Sequence, residues 1–148
     1  MEENKILMVK SLLFDSAKED TLTIIPKIQD SEVLYVYAYN YNWDEGFEIP
    51  QLILDNDKCN LSIALLIFYR ADGASYLMNK SVNANLPQWS SFIKKLYNSI
   101  LDGKYKSQEF KFKVPLSTVQ LFKLKKILSV SENIFIKNIE GKNLDIDL

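Results

Sequence analysis

Histidine is absent from this 148-residue chain. That removes Ser-His-Asp and Cys-His catalysis, histidine general bases and histidine-ligated zinc or haem. An enzyme built from this sequence would have to use carboxylates, lysines, tyrosines or one thiol, so the composition weighs against catalysis. Cysteine is nearly absent. Cys59 alone cannot form an internal disulfide, and a lone cysteine in such a setting reads as a small buried hydrophobe. Glycine and proline number four each, too few for the many tight turns of an all-β protein. No apolar run approaches the ~20 residues of a membrane span; the longest covers residues 63–68. The beginning of the chain, Met1-Glu2-Glu3-Asn4-Lys5, has neither the basic residues nor the apolar stretch of a secretory signal. A cytoplasmic location is expected. Glycine-rich phosphate loops are also missing.

What is present suits a single folded domain spanning residues 1–148. Apolar residues make up 47% and charged residues 25%, and a chain of this length buries about 68–70% of its unfolded surface without a disulfide or metal. The net charge of −1 conceals an asymmetry. Residues 1–60 hold 12 Asp+Glu against 5 Lys, a balance of −7, and residues 61–148 hold 7 against 13, a balance of +6. Such poles either steer a charged partner or lie against each other within the fold.

The pattern predicts a mainly α fold: an array of antiparallel helix hairpins, with a small β element in the C-terminal third. Ile6 to Phe14 form a first apolar segment. Ser16-Ala17-Lys18-Glu19 has capping-box spacing, and Pro26 should kink or end the helix it opens. Ser31 is expected to cap a third helix with Glu32 in its first turn. In that helix Val33, Leu34, Tyr37, Ala38 and Tyr41 share a face, leaving Tyr35 and Tyr39 to another. Pro50 suits a first helical position, which would place a short helix over residues 51–55 and leave Ile49 outside it. Residues 61–69 are apolar nearly all round and read as a central buried helix ended by Asp72-Gly73. Pro87 opens the clearest helix, with Trp89, Phe92, Ile93, Leu96, Tyr97, Ile100 and Leu101 on one stripe and Gly103 as its stop. Ser117-Thr118-Val119-Gln120 is a second capping box. Phe110-Lys111-Phe112-Lys113-Val114 alternates with period two and predicts an edge strand protected by lysine, with residues 134–136 and 144–148 as its partners.

The densest joint is Tyr39-Asn40-Tyr41-Asn42-Trp43-Asp44-Glu45-Gly46-Phe47-Glu48-Ile49-Pro50. It is followed by Cys59-Asn60-Leu61, Ala64-Leu65 and Phe68. This run resembles a small bacterial domain of unknown function with the signature YNWDDG…P…C.L..AL..F, here covering residues 31–78. Glu45 stands where the signature has a second Asp. Proteins with this signature resemble companions of bacterial toxin systems. The resemblance implies an immunity protein that neutralises a toxin domain by binding and occluding it.

Two readings of the joint follow from its residues. As a structural corner, Asp44 caps a turn, Gly46 supplies a positive φ and Trp43 packs inward. As a docking patch, Asp44, Glu45, Glu48, Asp55 and Asp57 attract a basic protein partner, with Tyr39 and Tyr41 as anchors. The same carboxylates have enough oxygens for a divalent ion or an acid–base pair, which leaves a carboxylate- or metal-dependent enzyme as the least favoured alternative; no calcium-loop spacing fixes them, and no cofactor or metal is expected. A different class of reading uses the basic C-terminal half to bind nucleic acid, stacking bases on Tyr97, Tyr105, Phe110 and Phe112. The pI of about 5.5 and the lack of a nucleic-acid motif count against it. The expectation is a non-catalytic protein-binding module with a protein partner and no membrane contact.

Overall fold

A computed structural model describes residues 1–81, 83–107 and 110–148. The chain is mainly helical. Helix α1 (Glu3–Lys10) runs on into a wider π-helical turn, Ser11–Asp15. Helix α2 (Lys18–Ile24) closes in a single 3-10 turn, Ile25–Lys27, where Pro26 ends it. Then come α3 (Ser31–Asn40), a 3-10 turn Trp43–Glu45, α4 (Glu48–Asp55), α5 (Leu61–Arg70), α6 (Gly73–Met78), α7 (Pro87–Leu101), α8 (Thr118–Ile127) and a 3-10 stretch, Val130–Ile136.

Helix α5 sits at the centre and packs against α3, α4, α6 and α7. Its residues 62–68 are all buried, as an all-round apolar helix requires. Burying one such side chain, Phe68, contributes about 1.5–3 kcal/mol relative to leaving it in water. Helix α3 is nearly as enclosed. Tyr35 and Tyr39 do share a second face, their rings stacked at 6.4 Å, but Tyr35 is enclosed there and residues 33–38 are all buried, because the C-terminal tail lies against this side of α3. The Tyr35 hydroxyl donates to Asp145 (2.7 Å), and Asn40 Nδ2 donates to the Ile146 carbonyl (2.8 Å). Asn40 Oδ1 accepts from the Leu148 N–H (3.0 Å).

Several helix ends differ from their expected form. The α3 cap is Asp30, whose carboxylate accepts from the Glu32 N–H, while Ser31 is the first helical residue and donates to the Lys58 carbonyl. Ala17, not Ser16, occupies the cap position of α2, and the Ser16 hydroxyl turns back to the Ser11 carbonyl. Ile49 is helical, because α4 begins at Glu48. Pro50 is the third residue of that helix, where its missing N–H has no intrahelical partner to lose. The Ser117/Gln120 capping box forms as expected.

The C-terminal third corrects the expected sheet. Phe110, Phe112 and Val114 are buried and Lys111 and Lys113 exposed, so the alternation is real. Yet the described residues make only isolated bridges, Phe110 with Lys142 and Phe112 with Ile139. Residues 134–136 belong instead to a 3-10 stretch, and residues 144–148 strap α3. Period two identified which side chains turn inward; the number of backbone partners decided against a ladder.

The two charge halves touch within the fold. Lys142 pairs with Glu32, and Lys104 lies 3.8 Å from Asp55. Lys142 and Lys5 together hold the Glu32 carboxyl below its ordinary range. Glu132 is 7% exposed. Burial pushes its carboxyl up, but the Lys80 ammonium (2.8 Å), the Ser129 N–H and the Tyr97 hydroxyl (2.7 Å) outweigh that and hold it at about 2.

A Cβ at Gly73 would lie 2.3 Å from the ring of Phe68, so Gly73→Ala should destabilise by about 1–3 kcal/mol in urea unfolding, the cost of overpacking a filled core. Folded Glu132 stays ionised down to about pH 2, whereas in the unfolded chain it takes up a proton at about 4.3. Its contribution is therefore complete above the higher value and disappears as pH falls towards the lower one. Glu132→Gln should lower stability at pH 7 by about 1–3 kcal/mol and flatten the loss of stability across that acid window.

Candidate functional site

The joint between α3 and α4 is a pinned corner. Asn42 Oδ1 accepts from the Asp44 N–H (3.1 Å) and opens the 3-10 turn. The Tyr41 hydroxyl donates to the Gly46 carbonyl (2.7 Å), closing the turn from inside. Gly46 has φ 91° and ψ −165°, a region open essentially to glycine alone. From outside, Lys18 Nζ donates to the Glu45 carbonyl (3.3 Å) and reaches the Glu48 carboxylate (3.2 Å). Edge-to-face contacts run from Tyr41 to Trp43 (5.3 Å) and from Trp43 to Phe47 (6.3 Å), and Phe47 stacks on Phe92 of α7 (4.7 Å).

Beside this corner α5 comes out to solvent. Arg70 is its last residue and is exposed. Its guanidinium lies 4.7 Å over the Tyr39 ring, a cation–π contact, and it has no ion pair among the described residues. Asp72 follows with φ 61°, a left-handed conformation that aspartate tolerates; its carboxylate accepts from the Ser75 hydroxyl (2.7 Å). Arg70 and Asp72 stand between two cavities and line both. One, of about 460 Å³, is bordered by Tyr35, Tyr39, Tyr69, Phe112, Lys113 and Asp145. The other, of about 410 Å³, is bordered by Trp43, Phe47, Ser75, Asn83, Leu86 and Trp89. The Trp89 N–H donates to the Ala71 carbonyl (2.6 Å). The Trp43 N–H is buried and has no partner among the described residues. A third, wider groove of about 660 Å³ lies between Phe47, Glu48 and Gln51 on one side and Gln88, Phe92 and Lys95 on the other. Aromatic walls with a few converging polar groups are the ordinary make-up of a recognition cleft.

The expected partner-binding residues separate into three groups. Asp44, Glu45 and Glu48 are exposed around the corner. Asp55 is the last residue of α4, about 10 Å along the helix axis from Glu48, with Asp57 just beyond it, and Asp55 is engaged by Gln51 (3.0 Å) and Lys104. The five carboxylates therefore form a string rather than a cluster. No group of three or more metal-ligating side chains comes together among the described residues. Tyr39 is half-buried and faces the first cavity under Arg70. Tyr41 is 6% exposed and holds the corner from within, so the structure gives it a supporting place rather than a contact surface. Burial pushes its hydroxyl up to about 12, with the Glu45 and Glu48 charges adding to the effect.

Arg70, Asp72, Phe47 and Trp89 were not singled out from sequence as cleft residues. One signal was available: Arg70 is the sole arginine among 18 Lys+Arg. The aromatics of the nucleic-acid reading, Tyr97, Tyr105, Phe110 and Phe112, are buried and offer no stacking face. Cys59 is buried, and burial raises its thiol well above the usual range.

Residues 29–101 match the model of a family described as Domain of unknown function (DUF4274). The match supports a likeness to a small domain of unknown function over the stretch from α3 to α7. It contains the whole corner, and every residue of the Trp43/Trp89 cavity lies within it. No curated protein and no solved structure matches the chain. No helix among the described residues is long and apolar enough to cross a membrane.

Nothing lies within 4 Å of a Cβ placed at Gly46, so substitution there tests the backbone alone. Gly46→Ala should cost about 1–3 kcal/mol, read as a lowered urea midpoint, and should loosen the Tyr41–Gly46 hydrogen bond, read as faster amide exchange across residues 43–48.

Proposed function

We propose that this chain is a non-catalytic protein-binding module of the bacterial immunity type, working in the cytoplasm by covering a basic surface of a toxin domain. The observation that carries this reading is the corner itself. Asp44, Glu45 and Glu48 are exposed on a turn whose own hydrogen bonds are satisfied internally by Tyr41 and Asn42. The negative charge is thus displayed on a rigid support, which limits the ordering cost of binding. The adjoining aromatic cleft supplies the desolvated pocket that a partner's anchor side chain needs, and Arg70 at its lip is free to pair. Carboxylates at the rim set the approach and the rate of encounter; the cleft sets how long the complex lasts.

The test uses the wild-type chain as bait in extract from its native host, followed by binding kinetics with the captured protein. Asp44→Lys with Glu45→Lys should slow association about tenfold at low salt, with a smaller effect at high salt, and leave the thermal midpoint unchanged. Trp89→Ala should speed dissociation. Unchanged association of the charge-reversed variant at low salt removes the acidic corner from the interface.

A further inference from the structure

Helix α8 carries apolar side chains on two opposite faces. Leu121, Leu124 and Leu128 turn towards the fold, with Leu124 1% exposed. At 100° per residue, Val119 and Phe122 fall on the far side, and they are 62% and 60% exposed. Ile127 (53%) at the end of the helix and Val130 (86%) just beyond it are exposed as well. Lys123, Lys125 and Lys126 are set among these residues, exposed and without an ion pair among the described residues. Lys126 Nζ lies 4.3 Å over the Phe122 ring. From residue 111 to residue 137 the chain has six lysines and one carboxylate. That carboxylate, Glu132, is buried and already engaged by Lys80 and Tyr97. The positive charge around α8 therefore has no counterpart on its own segment.

We propose that the outward face of α8 docks on an anionic phospholipid surface. Phe122 and Val119 enter the boundary between headgroups and acyl chains, while the flanking lysines extend their stems and leave their ammonium groups among the lipid phosphates. Three observations favour lipid over other anionic partners. The apolar side chains project from a helix instead of lining a groove. Lysine is depleted and arginine enriched at protein interfaces, and this face has lysine only. A nucleic acid would need stacking surfaces, and Phe122 is the one aromatic that α8 offers. This surface is separate from the acidic corner, so the two readings stand or fall independently. A peripheral face of this kind needs neither a membrane-spanning helix nor a secretory signal.

The test is co-sedimentation of the full chain with vesicles of phosphatidylcholine alone and of phosphatidylcholine mixed with phosphatidylglycerol, at low and high salt. Binding to the anionic vesicles only, weakened by salt, is the expected result. Lys123→Glu with Lys126→Glu should reduce it at least about tenfold, and Phe122→Ser should reduce it without changing the thermal midpoint, since both sites are exposed. Phe122→Trp should give an indole emission that shifts to the blue on anionic vesicles. No sedimentation with anionic vesicles overturns the proposal, as does equal binding to neutral ones or variants that bind like wild type. Retention of single-stranded RNA with no vesicle binding also overturns it.

Discussion

The constraint on which the molecule is built is that α5 cannot tolerate water on any side. Seven consecutive buried residues, 62–68, oblige α3, α4, α6 and α7 to surround it. Its polar N-terminal groups are met from within: Asn60 Oδ1 accepts the Ile63 N–H (3.0 Å), and the Ser62 hydroxyl donates to the Phe110 carbonyl (2.8 Å). A helix enclosed in this way must let its polar residues out at an end. Here that end is Arg70, and the chain then reverses through Asp72 in a left-handed conformation to start α6 against Phe68. The cleft lies where the buried helix surfaces, a direct consequence of the packing.

The corner between α3 and α4 answers the same demand. Both helices cover α5, so the chain must turn within a few residues without leaving backbone groups unpaired. Tyr41 and Asn42 meet that requirement, and Trp43 and Phe47 fill the wedge against α7. The aromatic content of this run is thus first a packing solution. Because Tyr41 and Asn42 close the turn from inside, the carboxylates of Asp44 and Glu45 remain exposed on the surface, while that of Glu48 pairs with Lys18. A rigid support and an exposed charge arise from one arrangement, so the structural and the recognition readings of the joint are compatible.

The charge asymmetry along the chain has a mixed outcome. Part of it is spent inside the fold, where Lys142 meets Glu32 and Lys104 approaches Asp55. The remainder stays on separate elements: carboxylates at the corner, lysines around α8. Exposed charges of this sort add little to stability, and their main physical effect is on encounters with other molecules. The two proposed surfaces have opposite preferences for that reason.

Local rules were legible where a few neighbouring residues decide the outcome. The 3.6-residue stripe of α7, the all-round apolarity of α5, the Ser117/Gln120 box and the break at Pro26 depend on side chains within one or two turns, and each is found where the spacing indicates. The sequence by itself therefore determined a mainly helical chain, its buried stripes and its unequal charge. Tertiary structure decided what long-range partners control. Tyr35 is enclosed because the tail reaches back more than a hundred residues to it; the alternating segment at 110–114 makes only a pair of bridges among the described residues because residues 139–142 meet it at isolated points; and Arg70, Asp72, Trp43 and Trp89 come together around one cavity because α5 ends where α6 and α7 begin. Spacing along a chain cannot encode such meetings, since they arise from how separately predictable elements cover one another's apolar faces.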